Sequence, residues 1–444
     1  MSEKADILVL GATGYTGRLI TRYLVAHPQW PQFTLAIGAR STQKLGKLVE
    51  DLNLPSSVKL VHVDVTRPLE VEAAVRVARV VINTVGPYWL WGTPVVRSCV
   101  RHGVHYVDLT GETAWAKQII TEFDYFATKT GSIIVPSCGF DSIPSDISAH
   151  LANKTLKSIG SSLTGEYLNL GASTSAFSFY GGISGGTIAS AMTAIERVPR
   201  RVVKQSRLPY VLSPYVGLAP RFRLLYSLPV PGSKTIKGGI FVMGAGNRAL
   251  VQRTFGLLEM QNRGKADEKK YGPDFCYDEF QATSGTLSAW FLTTALIVGF
   301  TALLIKPLRL IAKKFLPQSG DGPSDEFMQK GFFGVTNVTT STSTPPVNVK
   351  TVIKGKGDPG YLLTAIMISE SALCFLLPPV SETSTSTSRP RNNNIHALPA
   401  LAQEGGILTP MTAFGDVLIQ RLEETGRFEF SSSILVDDGA KKLV

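Results

Sequence analysis

The sequence predicts an α/β protein whose N-terminal part is a doubly wound parallel sheet, followed by a second, mixed α+β unit. Two observations carry this. Short apolar runs alternate with helical stretches over roughly the first 135 residues, as strands and crossover helices do in parallel sheets. The first run, Asp6-Ile-Leu-Val-Leu10, passes directly into Gly11, Gly14 and Gly17, and a helical pattern follows at once.

Taken in chain order, each element has a reason. Gly11 permits a tight turn, Gly14 lets the backbone approach a pyrophosphate, and Gly17 lets the helix pack on the strand. The helix N-terminus, reached through Thr13, Tyr15 and Thr16, offers unpaired N–H groups to phosphates. Leu19, Ile20, Tyr23 and Leu24 give that helix a buried face. Strand, glycine triplet and helix together indicate a dinucleotide-binding loop.

Phe33–Gly38 is the second strand and ends in Gly38-Ala39-Arg40-Ser41. An NAD site ordinarily has an Asp or Glu here for the ribose 2′-hydroxyl. Arg40 and Ser41, a cation and a hydroxyl, instead suit a 2′-phosphate, so NADP(H) is expected and NAD(H) is the weaker alternative. Asp64 follows the third strand, Lys59–Val63. It either contacts the adenine or acts as a cap-like residue before Arg67-Pro68. Ala78–Asn83 is the fourth strand, Val95–Arg101 lies on the next helix, and Val104–Val107 and Ser132–Val135 are two further strands. Asn83-Thr84-Val85-Gly86-Pro87-Tyr88 stands at the carboxyl edge of the sheet, where a nicotinamide and its ribose would lie. Asn83 borders that position, Gly86 allows close approach and Pro87 fixes the turn.

Hydride transfer also needs a proton donor or an electrostatic partner for the substrate. The same edge offers three weak catalytic candidates. Tyr88 is a donor or an aromatic packing residue beside Trp89. Asp108, with Thr110 and Glu112, lines the substrate side or caps the following helix. Asp141 comes after the sixth strand with Cys138, Ser142 and Asp146. Cys138 lacks a local His partner, and Ser137–Asp146 reads more readily as a join between the two units. The sequence alone fixes no catalytic residue.

A chain of 444 residues has room for two or three domains, and 44% hydrophobic against 18% charged residues makes it globular and apolar. Four widely spaced cysteines indicate neither a disulfide framework nor a metal site, and a reducing compartment fits. The chain enters its first strand without a secretory signal, so the dinucleotide unit is expected in the cytosol. The net charge of +11 is uneven: Arg197 to Leu258 contains no Asp or Glu and carries 11 cations. No nucleic-acid module accompanies them, so nucleic acid is not the expected partner. An anionic lipid surface fits better; a homodimer stays open.

Phe280 to Ile305 is a run of 26 residues without a charge. It is long enough for a membrane helix, with Trp290 near one end and Lys306, Arg309, Lys313 and Lys314 after the other. A spanning helix, a hairpin or shallow helix embedded from one side, and a buried core helix are the three readings. If residues after 330 complete the fold, a single crossing would divide the protein between two compartments, so embedding from one side is expected. Thr339–Thr344 and Ser381–Asn394 are Ser/Thr-biased and are expected to be solvated loops. The expected division is a Rossmann unit at 1–140, a second unit at 141–279 and 317–444 with a low-complexity loop at 381–394, and a membrane-associating segment at 280–316.

Several motifs together resemble the saccharopine dehydrogenase-like oxidoreductase family. They are Gly11-Ala-Thr-Gly-Tyr-Thr-Gly17, Ile37-Gly-Ala-Arg40, Asn83-Thr-Val-Gly-Pro-Tyr88, Tyr106-Val-Asp-Leu-Thr-Gly-Glu112 and Pro136-Ser-Cys-Gly-Phe-Asp-Ser-Ile-Pro-Ser-Asp146. Gly181-Gly-Ile-Ser-Gly-Gly-Thr187, Gly357-Asp-Pro-Gly-Tyr361 and Gly405-Gly-Ile-Leu-Thr-Pro410 extend the likeness over nearly the whole chain. The resemblance implies an NADP-binding Rossmann domain with a mixed α+β partner domain. It also implies relatives in two settings: mycobacterial trans-acting enoyl reductases of glycolipid synthesis, and eukaryotic members found with lipid droplets. The apolar segment agrees with the second. An NADP(H)-dependent oxidoreductase acting on a hydrophobic lipid at a membrane or lipid-droplet surface is therefore the expected function. The alternatives are a catalytically silent nucleotide-binding scaffold and a soluble amino-acid dehydrogenase of the saccharopine type.

Overall fold

The computed structural model describes residues 4–163, 167–182, 184–261, 266–317, 320–382 and 393–435. Its first unit alternates strand and helix in strict order: β1 (Ala5–Leu10), α1 (Tyr15–Val25), β2 (Leu35–Ala39), α2 (Thr42–Leu52), β3 (Lys59–His62), α3 (Pro68–Arg76), β4 (Ala78–Asn83), α4 (Tyr88–His102), β5 (His105–Asp108), α5 (Thr113–Thr130) and β6 (Ile133–Val135). Every residue of β1 is buried, as expected for a strand with helices on both faces of its sheet. The strands are parallel, in the order β3-β2-β1-β4-β5-β6, so the chain reverses direction between β1 and β4. Such a switch point opens a crevice at the carboxyl ends of the strands.

The rest of the chain runs through α6 (Ile143–Leu163), β7 (Leu170–Tyr180), α7 (Gly185–Glu196), α8 (Arg200–Gln205), β8 (Leu225–Leu228), β9 (Ile236–Gly239), α9 (Gly244–Glu259), the short α10 (Ala266–Lys269) and β10 (Cys276–Thr283). Then come α11 (Thr286–Leu304), α12 (Lys306–Phe315), α13 (Asp325–Lys330), β11 (Phe332–Ser341) and β12 (Asn348–Lys356). A π-helical turn at Pro359–Leu363 leads into α14 (Thr364–Cys374), α15 (Ala400–Glu404), β13 (Gly406–Ile407), α16 (Pro410–Ala413), α17 (Asp416–Glu424) and β14 (Phe428–Leu435). The second sheet has the order β14-β12-β11-β7-β10-β9-β8, while β13 crosses back to extend the first sheet beside β6.

The C-terminal helices are fastened to the first unit by a buried ionic centre. Glu370 of α14 accepts hydrogen bonds from Arg421 Nε of α17 (2.7 Å), Tyr23 OH (2.5 Å) and His27 Nε2 (2.9 Å). Arg421 also donates to the carbonyls of Leu377 and Pro378 and to Gln29 Oε1. Burial alone would push the Glu370 carboxyl up. The Arg421 guanidinium and the His27 and Tyr23 bonds outweigh it and hold the group at about 2.

The polar-biased runs differ from expectation. Thr339–Ser341 is strand, not solvated loop: Thr339 is buried, donates to Asn337 Oδ1 (2.7 Å) and pairs with the Ser173 hydroxyl (2.8 Å). Hydroxyls that pair across neighbouring strands can be buried, and β-branched Thr suits a pleated surface. Residues 383–392 of the second run lie outside the described residues. Asn394 at its end is buried, donating to the carbonyls of Cys374 and Leu377.

The apolar run is divided between two elements. Phe280–Thr283 finishes β10, and α11 begins only at Thr286. Ala289 and Thr293 are the buried residues of α11, set against β9 where Gly239 has no room for a side chain. Thr293 Oγ1 donates to the Leu224 carbonyl (3.0 Å). The remainder faces outward, with Leu287 86% and Phe291 78% exposed, so α11 is not a core helix. It is the one helix among the described residues long and apolar enough to cross a membrane. Yet β10 before it and β11 after it flank the same strand, β7, so the segment leaves one sheet and returns to it. Two cations of the acid-free stretch, Arg248 and Arg253, turn inward to Asp278 and to the Ile407 and Leu212 carbonyls; the other nine stay exposed.

Replacing Arg421 by Met would leave the Glu370 charge buried without its cation, at a cost of about 3–5 kcal/mol in urea unfolding. The double change Glu370→Leu with Arg421→Met should recover much of it. The folded carboxyl lies below its unfolded value, so its contribution is present above the ordinary 4.5 and is lost as pH falls toward about 2.

Candidate cofactor and substrate cleft

The glycine loop sits at the switch point between β1 and β4. At Gly11, with φ +80°, a Cβ would lie 2.7 Å from Thr84 Oγ1, and at Gly17 it would lie 2.2 Å from the Gly11 carbonyl oxygen. Both glycines are therefore demanded by the loop itself. Gly14 is exposed at the N-cap of α1, with no side chain capping the helix and no acid in its first turn. Its free N–H groups form an anion cradle. Thr13, Tyr15 and Thr16 are partly exposed around it. Gly86 is different: a Cβ there would meet nothing nearer than 3.6 Å, so the protein leaves it room that a bound ligand would use. These features fit a dinucleotide.

Beyond β2, Arg40 is exposed, while the Ser41 hydroxyl is committed to capping α2 through Lys44 N (3.3 Å). Asp64 accepts from Thr66 N (2.9 Å) and Thr66 Oγ1 (2.8 Å) and does not cap α3, whose N-cap is Arg67. Those two bonds, then the charges of Arg40 and Arg67, hold its carboxyl below the usual range. Arg40 is thus the cation of this turn with no hydrogen bond shown among the described residues, and its charge acts on Asp64.

At the nicotinamide end three expected residues turn inward. Asn83 is buried, donating to Tyr106 OH (3.1 Å) and accepting from Val85 N (3.0 Å). Tyr88 is buried against Trp115, ring centroids 5.3 Å apart, and its hydroxyl donates to the Asn83 carbonyl and accepts from Leu109 N. Asp108 accepts from Tyr106 OH, Thr110 N and Ser137 N, each at 2.9 Å. Burial pushes its carboxyl up to about 7 against those bonds. All three shape the edge with their side chains, and none presents a free polar atom to a substrate. Pro87, in a cis peptide bond, forms the N-cap of α4.

Asp141 differs from them. It is partly exposed, with no hydrogen-bond partner shown among the described residues, and desolvation raises its carboxyl to about 6. Its Oδ2 lies 3.4 Å from where a Cβ on Gly111 would stand. Cys138 is buried, its thiol pushed up by burial, and Asp146 is spent on Thr254 Oγ1 and Met411 N.

Glu112 is the N-cap residue of α5, yet its side chain caps α4. It accepts from Tyr88 N and Trp89 N, each 2.8 Å, and from Ser190 Oγ of α7 (2.9 Å). Sequence reasoning also missed that the 181–187 and 357–361 motifs meet. Asp358 accepts from Gly182 N (2.6 Å), and Tyr361 OH accepts from Ser184 N (2.5 Å) and bonds Thr187 Oγ1 (2.9 Å). Tyr361 stands edge-on to Tyr15, with centroids 5.3 Å apart. Helix α7 therefore runs along the cleft, from the glycine loop to Gly86.

Residues 7–132 match the saccharopine dehydrogenase NADP-binding domain. A trans-acting enoyl reductase of Mycobacterium tuberculosis is 30% identical over 442 residues, covering 95% of this chain and 96% of the relative. The chain belongs to the saccharopine dehydrogenase-like oxidoreductase family. A trans-acting enoyl reductase of Mycobacterium ulcerans is 29% identical with the same coverage. Among solved structures, the L-Glu-forming saccharopine dehydrogenase of Saccharomyces cerevisiae aligns over 97% of this chain and 100% of its own, with TM-score 0.48 and 11% identity. As a family member the protein is an NADP(H)-binding oxidoreductase, and the fold is the expected Rossmann sheet with a second sheet domain.

Gly86→Ala should leave the melting temperature unchanged while weakening NADPH binding at least about tenfold, or about 1.4 kcal/mol. Gly17→Ala should lower both, because its Cβ collides with the Gly11 carbonyl.

Proposed function

We propose that the protein reduces a carbon–carbon double bond or a carbonyl in a hydrophobic, lipid-type substrate, working at the cytosolic surface of a membrane or of a lipid droplet. The observation that carries this reading is the exposed apolar face of α11 and α12 beside the cleft-covering helix α7. Leu287, Phe291, Val298, Leu308, Ile311 and Phe315 would face water otherwise. An exposed apolar patch of this kind marks an interaction surface, and flanking cations suit anionic headgroups. Arg207 over the Phe300 ring, 5.9 Å from its centroid, joins the basic stretch to α11. Because both flanks return to one sheet, embedding from one side is the mode that fits. The names of the mycobacterial relatives support enoyl reduction as the chemistry.

Bound NADPH would supply the hydride. In this reading the α1 N-terminus holds the pyrophosphate and Arg40 the 2′-phosphate, while Gly86 admits the nicotinamide end. Asp141 holds the proton that completes the reduction, and solvent at its exposed side replaces it.

NADPH oxidation across a panel of enoyl and keto lipids, presented in vesicles, tests the function; no turnover with any would contradict it. Asp141→Asn should lower kcat by about 10²–10⁴ with NADPH affinity unchanged. Wild-type kcat should fall as pH rises through about 6, since the acid must be protonated to act. Leu287→Asp with Phe291→Asp should abolish sedimentation with vesicles and leave the fold intact, as both side chains are exposed.

A further inference from the structure

Building on the reading of α11 and α12 as a lipid-surface element, we propose that α12 transmits contact with an anionic lipid surface to the cofactor cleft through α7. The two helices are joined by Glu196, at the C-terminal end of α7. It accepts from Arg309 Nε (2.9 Å) and Lys313 Nζ (2.7 Å) of α12. Arg309 is the less exposed half of this clamp, at 12% side-chain exposure, and also donates to the Leu303 carbonyl at the end of α11 (2.8 Å). One guanidinium thus ties α11, α12 and α7 together.

The other end of α7 is tied to the cleft. Gly185 N donates to the Asp321 carbonyl (3.2 Å), and Ser184 and Thr187 hold Tyr361 against Tyr15 of the glycine loop. Midway, Ser190 bonds Glu112, the cap of the helix that starts beside Gly86. These contacts matter because α7 has little burial of its own: Gly185, Met192 and Thr193 are its buried residues, and α12 has none. Helices of this length are marginal alone, so their order comes from what they touch.

A lipid surface supplies what α12 lacks. Leu308, Ile311 and Phe315 lie at i, i+3 and i+7 on one face, and Lys306 and Lys314 are exposed toward the polar side. Cations near an anionic surface add to that attraction. Seating the apolar face pins α12, and the Arg309–Glu196–Lys313 clamp passes that order to α7. A cleft already ordered costs less to fill with cofactor. By linkage, surface binding and NADPH binding then strengthen each other by the same factor.

The test uses the full chain with vesicles of phosphatidylcholine, alone or mixed with phosphatidylserine. Sedimentation reads surface binding, amide exchange reads α7, and NADPH fluorescence reads the cleft. Wild type should sediment with the serine-lipid vesicles, its 186–196 amides exchanging several-fold more slowly and its NADPH binding several-fold more tightly. Glu196→Ala, an exposed position, should still sediment and show neither change. Sedimentation of wild type without any change at α7 or in NADPH affinity would overturn the coupling and leave the surface reading standing. So would a Glu196→Ala variant that responds like wild type. Failure to sediment with either vesicle would overturn the surface reading and the coupling with it.

Discussion

Helix α1 is held from behind by a single buried carboxylate, and the cleft depends on that hold. Its N-terminus must present backbone N–H groups at a fixed place, and nothing at that end caps it. Tyr15 packs against Tyr361 and donates to the Pro323 carbonyl at the near end, and at the far end Tyr23 and His27 meet Glu370, itself neutralised by Arg421. A buried pair of this kind adds little net stability but is severe when broken, because the surviving charge has no solvent. The same centre binds the chain's last helices to its first, and β13 adds a strand to the first sheet. The two units are interlocked, not strung in series.

Polar groups at the carboxyl edge divide into those bonded to neighbouring loops and those with no such partner among the described residues. Asp108, Asn83, Tyr88 and Glu112 each bond the backbone or side chains of neighbouring loops, which fixes the turns after β4 and β5. Asp141 is the carboxyl on this edge left outside that scheme, and desolvation alone keeps it protonated into the weakly acid range. Helix α7 carries the Ser190 hydroxyl toward Glu112 at the cleft and the Glu196 carboxylate toward α12.

The first sheet was legible because strands buried on both faces are continuous apolar runs, and the glycine triplet marked the switch point. The second sheet was less so, because its core strands carry Ser173, Ser175, Asn337 and Thr339, which bond one another and read as solvated. The start of α11 was obscured because a buried strand end and an exposed helix are equally apolar. Glu112 does stand at the N-cap of α5, as one of its two expected roles had it, but its carboxylate is turned to the start of α4. Its partners are 24 and 78 residues away, and local sequence carries no sign of them. The Glu370 centre was invisible for the same reason: Tyr23 and His27 lie more than 340 residues from it.

The central claim is that the cleft takes a dinucleotide whose 2′-phosphate is read by Arg40. Its most direct test is a fluorescence titration of wild type and Arg40→Ala with NADPH and NADH. The account predicts a clear NADPH preference in wild type, lost in the variant through weaker NADPH binding with NADH affinity unchanged. Equal affinities in wild type, or a preference that survives the substitution, would contradict it.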